Sequence, residues 1–159
     1  MKKRMMRLLL ELLKDSKRSD RELAKVLDVS QPTVSRMRSR LVKEGIIRDF
    51  TVMPDFVKMG YEIMAINCFK SKTSEEIAER AKKWVMSKPN IIFAAAAQGM
   101  GKNAVMISLH RNYTDFSNFL GEVLAEDENV MEDYDTMLIS LEGRIVKPLS
   151  LKYLAEQET

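Results

Sequence analysis

The stretch DRELAKVLDVSQPTVSRMRSRLVKEG, Asp20 to Gly45, constrains this chain most strongly. Leu23, Ala24 and Leu27 give a first segment one apolar face, and Val34, Met37 and Leu41 give a second segment another, at helical spacing. Two helices that cross steeply need a short side chain where their backbones meet, and Ala24 supplies it. Asp28 falls where the connecting turn requires a left-handed residue, which Gly suits best and Asp tolerates. Val29 plugs the turn into the core. Ser30 is expected to accept a backbone N–H as N-cap, and Pro32 fits a first helical turn. The pattern predicts a helix-turn-helix.

At roughly 100° per residue, the face of the second helix opposite its apolar stripe carries Pro32, Ser35, Arg36, Ser39 and Lys43. Gln31, Thr33 and Arg40 flank it, no carboxylate falls on it, and Glu44 turns back toward the apolar side. A solvated helix surface usually mixes signs for pairing. Short hydroxyls with Arg and Gln are instead the groups that meet phosphates and base edges. The expectation is a recognition helix in the major groove of double-stranded DNA. Gln31, Ser35, Arg36 and Ser39 would meet bases; Thr33, Arg40, Lys43 and basic residues of the first helix would meet phosphate. Arg38 lies near the apolar stripe, where phosphate contact or snorkelling over the core is expected.

Charge divides the chain in the same way. The net charge of +3 resolves into +8 through Arg48, from 14 basic and 6 acidic residues, and −5 beyond it. A basic head on an acidic body marks one module for nucleic acid. The single cysteine, Cys68, excludes a disulfide framework and a thiolate metal cluster. No apolar run reaches membrane-spanning length. The N-terminal MKKRMMRLLLELLKDSKR is interrupted by Glu11, Lys14 and Asp15 and lacks a cleavage site, so it reads as an amphipathic helix and not a signal peptide. A cytoplasmic protein with no membrane partner is expected.

In chain order, a first helix from Lys2 to Lys14 faces Leu8, Leu9, Leu12 and Leu13 inward, and Ser19 with Glu22 forms a capping box for the second. Gly45 is placed to end the recognition helix. Ile46, Ile47, Phe50 and Val52 predict a short extended segment that packs, closed by Pro54. YEIMAINCF then predicts a strand, and a Thr73/Glu76 capping box starts a helix with Ile77, Ala81, Trp84 and Val85 on one face, stopped by Pro89. IIFAAAA and AVMISLH predict two strands around a turn at Gln98–Asn103, the alanine strand packed closely against something. A second helix, capped by Asn112 or Thr114 and ended by EDENV, leads to a strand in YDTMLISLEG, and the tail is expected to add a strand around Pro148.

The order β-α-β-β-α-β is the ferredoxin-like split motif, so the fold class is α+β: a helix-turn-helix, winged-helix-like head and a ferredoxin-like body. The expected division is 1–48 for DNA binding, 49–60 as hinge, and 61–159 for dimerisation and effector binding. The sheet face away from the helices needs cover, and a second copy of the chain is the obvious one.

From ELAKVLDVSQPTVSRMRSRLVKEGIIRDFTVMPDFVKMGY through the body, the chain closely resembles the Lrp/AsnC family of feast/famine (leucine-responsive) regulators. The resemblance implies a homodimer through the body sheets, often assembled into tetramers of dimers, and partly palindromic promoter DNA as partner. It also implies an amino-acid effector between dimers, near the turn joining the second and third body strands. Gln98, Gly99, Gly101 and Asn103 are the candidates here. The family's Thr-Gly pair becomes Gln98-Gly99, and Asn103 stands where an aspartate is usual. An amide offers only a neutral hydrogen bond to a ligand ammonium, about half as strong as a carboxylate's.

Two other readings share this architecture. An architectural DNA-binding protein would use the same contacts with little sequence preference. Sirohaem decarboxylases are similar in fold, so fold alone leaves catalysis open. The only histidine, His110, ends a predicted strand, and no Cys/His metal spacing or Ser/His/Asp set accompanies it. No enzymatic activity, cofactor or metal is expected.

Overall fold

The computed structural model describes residues 3–126 and 131–156. They form two compact units, Met1–Met53 with Lys147–Thr159, and Pro54–Val146.

The first unit contains α1 (Lys3–Lys14), α2 (Asp20–Leu27) and α3 (Gln31–Lys43). Met5, Leu8 and Leu12 from α1 meet Leu23, Ala24 and Leu27 from α2 and Val34 and Leu41 from α3 in one core. Leu8, Leu23, Val34 and Leu41 lose all solvent exposure, each worth about 1.5–3 kcal/mol of gross burial. Ser19 and Glu22 cap α2 reciprocally. Asp28 takes the left-handed conformation at φ 53°, and the Val29 N–H reaches back to the Ala24 carbonyl at 3.0 Å. Gly45 ends α3 at φ +68°; its N–H bonds the Val42 carbonyl and the Ile46 N–H bonds that of Leu41, a Schellman closure.

Three local expectations are corrected. The Ser30 hydroxyl bonds Thr33 Oγ1 at 2.8 Å and caps no backbone N–H of α3. The 46–54 segment, expected to pack, does so only through Ile47 on the head core, while Ile46, Phe50, Val52 and Met53 are exposed. The tail adds a 3-10 turn, Leu151–Ala155, and no strand. Ser150 starts that turn by accepting the Lys152 N–H, and the turn packs on α1 with Ala155 buried.

The second unit runs β1 (Ile63–Ser71), α4 (Glu75–Met86), β2 (Ile91–Gly99), β3 (Lys102–His110), α5 (Tyr113–Glu126) and β4 (Met131–Ser140). The sheet order is β2-β3-β1-β4, antiparallel throughout. Ser74, and not Thr73, caps α4, its hydroxyl accepting the Ile77 N–H. Asn112 caps α5 by accepting from the Asp115 N–H. The EDENV terminator falls largely outside the described residues.

Phe69, Met106, Phe119 and Val123 form the core between sheet and helices, with Trp84, Ile91, Ala104 and Met131 packed against it. Residues at i, i+2 share a face, so Met64, Ile66 and Cys68 of β1 lie on the opposite face. Their partners Leu109, Ile107 and Val105 lie there too, beside Ile139 and Met137 of β4. Cys68 is half-buried there. The alanine strand also departs from expectation. β2 is an edge strand, exposed from Ile92 to Gly99.

Candidate nucleic-acid interface and body turn

The core that buries Val34 and Leu41 turns the other side of α3 to solvent. Gln31, Ser35, Arg36, Ser39, Arg40 and Lys43 are exposed and Thr33 is half-buried. Arg36 makes one long bond, Nε to the Pro32 carbonyl at 3.3 Å, which leaves most of its donor fork free.

Two flanking groups differ from the wheel's reading. Glu44 is exposed and pairs with Arg40 Nε at 2.5 Å, so a carboxylate does reach the end of the basic face. Arg38 turns inward: its guanidinium bonds Asp20 Oδ1 at 2.7 and 3.0 Å and the Arg18 carbonyl at 3.3 Å. It ties α3 to the start of α2. Sequence reasoning missed Asp20 as its partner, because the two are 18 residues apart. Glu11 of α1 is held by Lys14 of the same helix and by Arg18 beyond its end, and the Lys14 hydrogen bond is the chief reason its carboxyl titrates below the usual range. Lys3 and Arg4 remain exposed.

In the body, Met100 and Gly101 form the turn between β2 and β3, with Gly101 at φ +72°. Gln98 is exposed. Asn103 is engaged: its Oδ1 accepts the Ser71 N–H at 3.0 Å and its Nδ2 donates to the Ser71 carbonyl at 2.7 Å. The amide thus extends the sheet by one side-chain rung and closes the end of β1. Beside it, the Lys102 side chain is only 6% exposed and is held by Asp133 and, at 2.9 Å, by Asp135. The Asp133 contact is the main cause of an ammonium pKa above the ordinary lysine value, and Lys102 in turn lowers Asp133.

His110 is fully buried against Phe116 and Phe119, with Nε2 at 2.8 Å from Ser108 Oγ. Nδ1 has no hydrogen-bond partner and stands 3.8 Å from Asp115 Oδ2. Burial lowers its pKa, partly opposed by Asp115. Among the described residues no group of three or more His, Cys, Asp or Glu is arranged to hold a metal. None of their helices is long and apolar enough to cross a membrane.

A basic helix presented on a three-helix core, carried by a chain with a βαββαβ body, defines a helix-turn-helix DNA-binding protein. Residues 1–48 match the winged helix-turn-helix DNA-binding family. The HTH-type transcriptional regulator PH0061 of Pyrococcus horikoshii is 31% identical over 138 residues, covering 85% of this chain and 89% of that one. The crystal structure of PH0061 matches with TM-score 0.80 at 29% identity over 94% of this chain and 98% of that one. An AsnC family regulator from Agrobacterium tumefaciens has the same fold at 18% identity, with TM-score 0.78 over 97% of this chain and 99% of that one. So does regulator NMB0573 of Neisseria meningitidis, solved with L-Met, at 17% identity, TM-score 0.78 and the same two coverages. The chain belongs to the Lrp/AsnC family of HTH-type transcriptional regulators. It is a DNA-binding regulator of transcription.

Proposed function

We propose that the protein binds specific duplex sites as a cytoplasmic homodimer, with residues 1–48 reading DNA, 49–60 as hinge and the body from 61 pairing the copies, except that the tail from Lys147, expected to belong to that body, groups with the head. The exposed face of α3 carries this reading: hydroxyls, an amide and the cations of Arg36, Arg40 and Lys43, with a single carboxylate, that of Glu44 on Arg40, at its far end. Gln31, Ser35, Arg36 and Ser39 read base edges, and Thr33, Arg40 and Lys43 hold phosphate. Arg38 acts as a positioning residue, fixing α3 through Asp20. The partner copy covers the apolar sheet face of Met64, Ile66, Ile107, Met137 and Ile139, of which Met137 is 64% exposed in the single chain. Two recognition helices then address half-sites about one DNA turn, or a multiple of it, apart. Four such dimers form the tetramer of dimers in the same reading.

The regulator solved with L-Met supports a small-molecule effector for this body, and the family resemblance places the site at the β2–β3 turn. Gln98 and the backbone of Gly99 and Gly101 would face that ligand. Asn103 would act behind them, because both ends of its amide serve Ser71.

Selection from random duplex DNA at near-physiological salt tests the reading, with Arg36→Ala alongside. A two-fold symmetric motif that Arg36→Ala weakens or relaxes is expected. Binding without an enriched motif would overturn sequence specificity in favour of an architectural role.

A further inference from the structure

The two edges of the body sheet are built differently. β4, at one edge, carries Glu132, Asp133 and Asp135. Charge on an edge strand guards its backbone against pairing with another chain. β2, at the other edge, reads IIFAAAAQG and has neither a charge nor a proline in nine residues. Its register with β3 shifts near each end and stays in step from Phe93 to Ala96.

An antiparallel ladder uses the N–H and C=O of every second residue, so those of the alternate residues of β2 point away from β3. Among the described residues no strand meets that outer edge, and β2 is exposed from Ile92 to Gly99. Foreign peptides added to a sheet edge are selected by pockets for alternate side chains, and a run of methyl groups forms none. A second β2 fits instead, neutral against neutral. A two-fold axis normal to the sheet keeps helix side on helix side, so each residue meets one of its own face and the axis passes through a residue. Full overlap of the two strands puts Ala95 on that axis. Ala94 then meets the partner's Ala96 and Phe93 meets the partner's Ala97, so Ile91, Ile92 and Phe93 are all set opposite smaller or flexible groups and never opposite one another.

We propose that β2 pairs antiparallel with β2 of a second copy, with Ala95 on the axis, joining two four-stranded sheets edge to edge. This rests on the homodimer reading above and adds to it: the face of Met64, Ile66, Ile107, Met137 and Ile139 closes a dimer, and a second two-fold contact alternating with the first closes a ring of dimers. Ala94 and Ala96 lie on the helix side with Met106 and Ala104, away from that face, so each contact can be broken alone.

Cross-linking reads the register. Paired residues in an antiparallel ladder have Cα atoms about 4.5–5.5 Å apart, inside the span of a disulfide, about 4.4–6.8 Å. In full-length protein with its one cysteine removed as Cys68→Ser, Ala94→Cys and Ala96→Cys chains are mixed, left to exchange and oxidised with diamide. The mixture should give a covalent dimer at several times the yield of either variant alone. Sedimentation velocity reads the assembly. The parent should form species larger than a dimer. Ala94→Lys/Ala96→Lys sets like charges opposite each other on both sides of the axis, and should stop at the dimer, at least about tenfold weaker in further association, with its melting temperature unchanged. Mixing it with Ala94→Glu/Ala96→Glu chains should restore the larger species. A mixture that cross-links no better than its components, or a lysine variant that assembles like the parent, overturns the pairing and leaves the sheet-face dimer standing. Ala94→Cys that cross-links best with itself overturns the Ala95 axis. If the parent is only a dimer, the lysine variant decides: monomers place the dimer contact at β2 and overturn the sheet-face reading, whereas dimers overturn the β2 pairing. A monomeric parent overturns both. If the lysine variant unfolds, the cysteine mixture decides.

Discussion

Replacing Arg38 with alanine separates what α3 does for the fold from what it does for DNA. The guanidinium makes two short contacts to Asp20 Oδ1 and a longer one to the Arg18 carbonyl, with both charged side chains 24% exposed. Hydrogen bonds to charged groups are worth about 1.5–3 kcal/mol when buried. Partial solvent screening reduces the whole cluster to about 1–2 kcal/mol. In a unit of this size that is a fall of about 4–16 °C in melting temperature. Asp20→Ala should cost a similar amount, and the double variant little more than either alone, leaving a coupling of about 1 kcal/mol. The assay is paired: thermal melting by circular dichroism, and DNA affinity measured well below the melting point. Arg38→Ala should melt early yet bind DNA within about threefold of the parent. Arg36→Ala should melt normally and lose about 10–100-fold in affinity. The reasoning fails if Arg38→Ala melts like the parent, or if its affinity falls as far as that of Arg36→Ala.

Three further outcomes follow from single contacts. Leu41→Ala empties a fully buried position in the head and should cost about 3–4 kcal/mol, enough to abolish DNA binding at 37 °C and visible as a lost head transition in urea. Asn103→Ala removes both bonds to the Ser71 backbone and should cost about 1–3 kcal/mol, read as faster amide exchange at the end of β1; unchanged exchange would count against the side-chain rung. His110 has its pKa lowered below 6.5 by burial, so the unfolded chain takes up the proton first as pH drops. Its contribution is complete above about pH 6.5 and declines as pH falls toward the folded value. His110→Gln should flatten that slope in denaturant melts between pH 7.5 and 5.5, and an unchanged slope would assign it to other groups.

The amino-acid sequence by itself determined every feature that depends on residues a few positions apart. The Ser19/Glu22 box, the left-handed Asp28 and the Schellman closure at Gly45 are each written within one helical turn, and each forms. Period-3.6 and period-2 patterning likewise marked α1 to α5 and β1 to β4, because a buried face must recur with its element's geometry. Even locally the reading erred where neighbours compete: Ser74 took the cap from Thr73, and Ser30 preferred Thr33 to the helix backbone. What only the tertiary structure decided involves partners far apart along the chain. Arg38 looked available to phosphate until folding brought Asp20 beside it. Asn103 looked like a ligand group until sheet register set it against Ser71, 32 residues away. The four alanines promised close packing, yet they are exposed, because the fold places their strand at the edge of the sheet. A methyl group has no preferred direction of packing, so whether it is covered depends on what the tertiary structure sets against it.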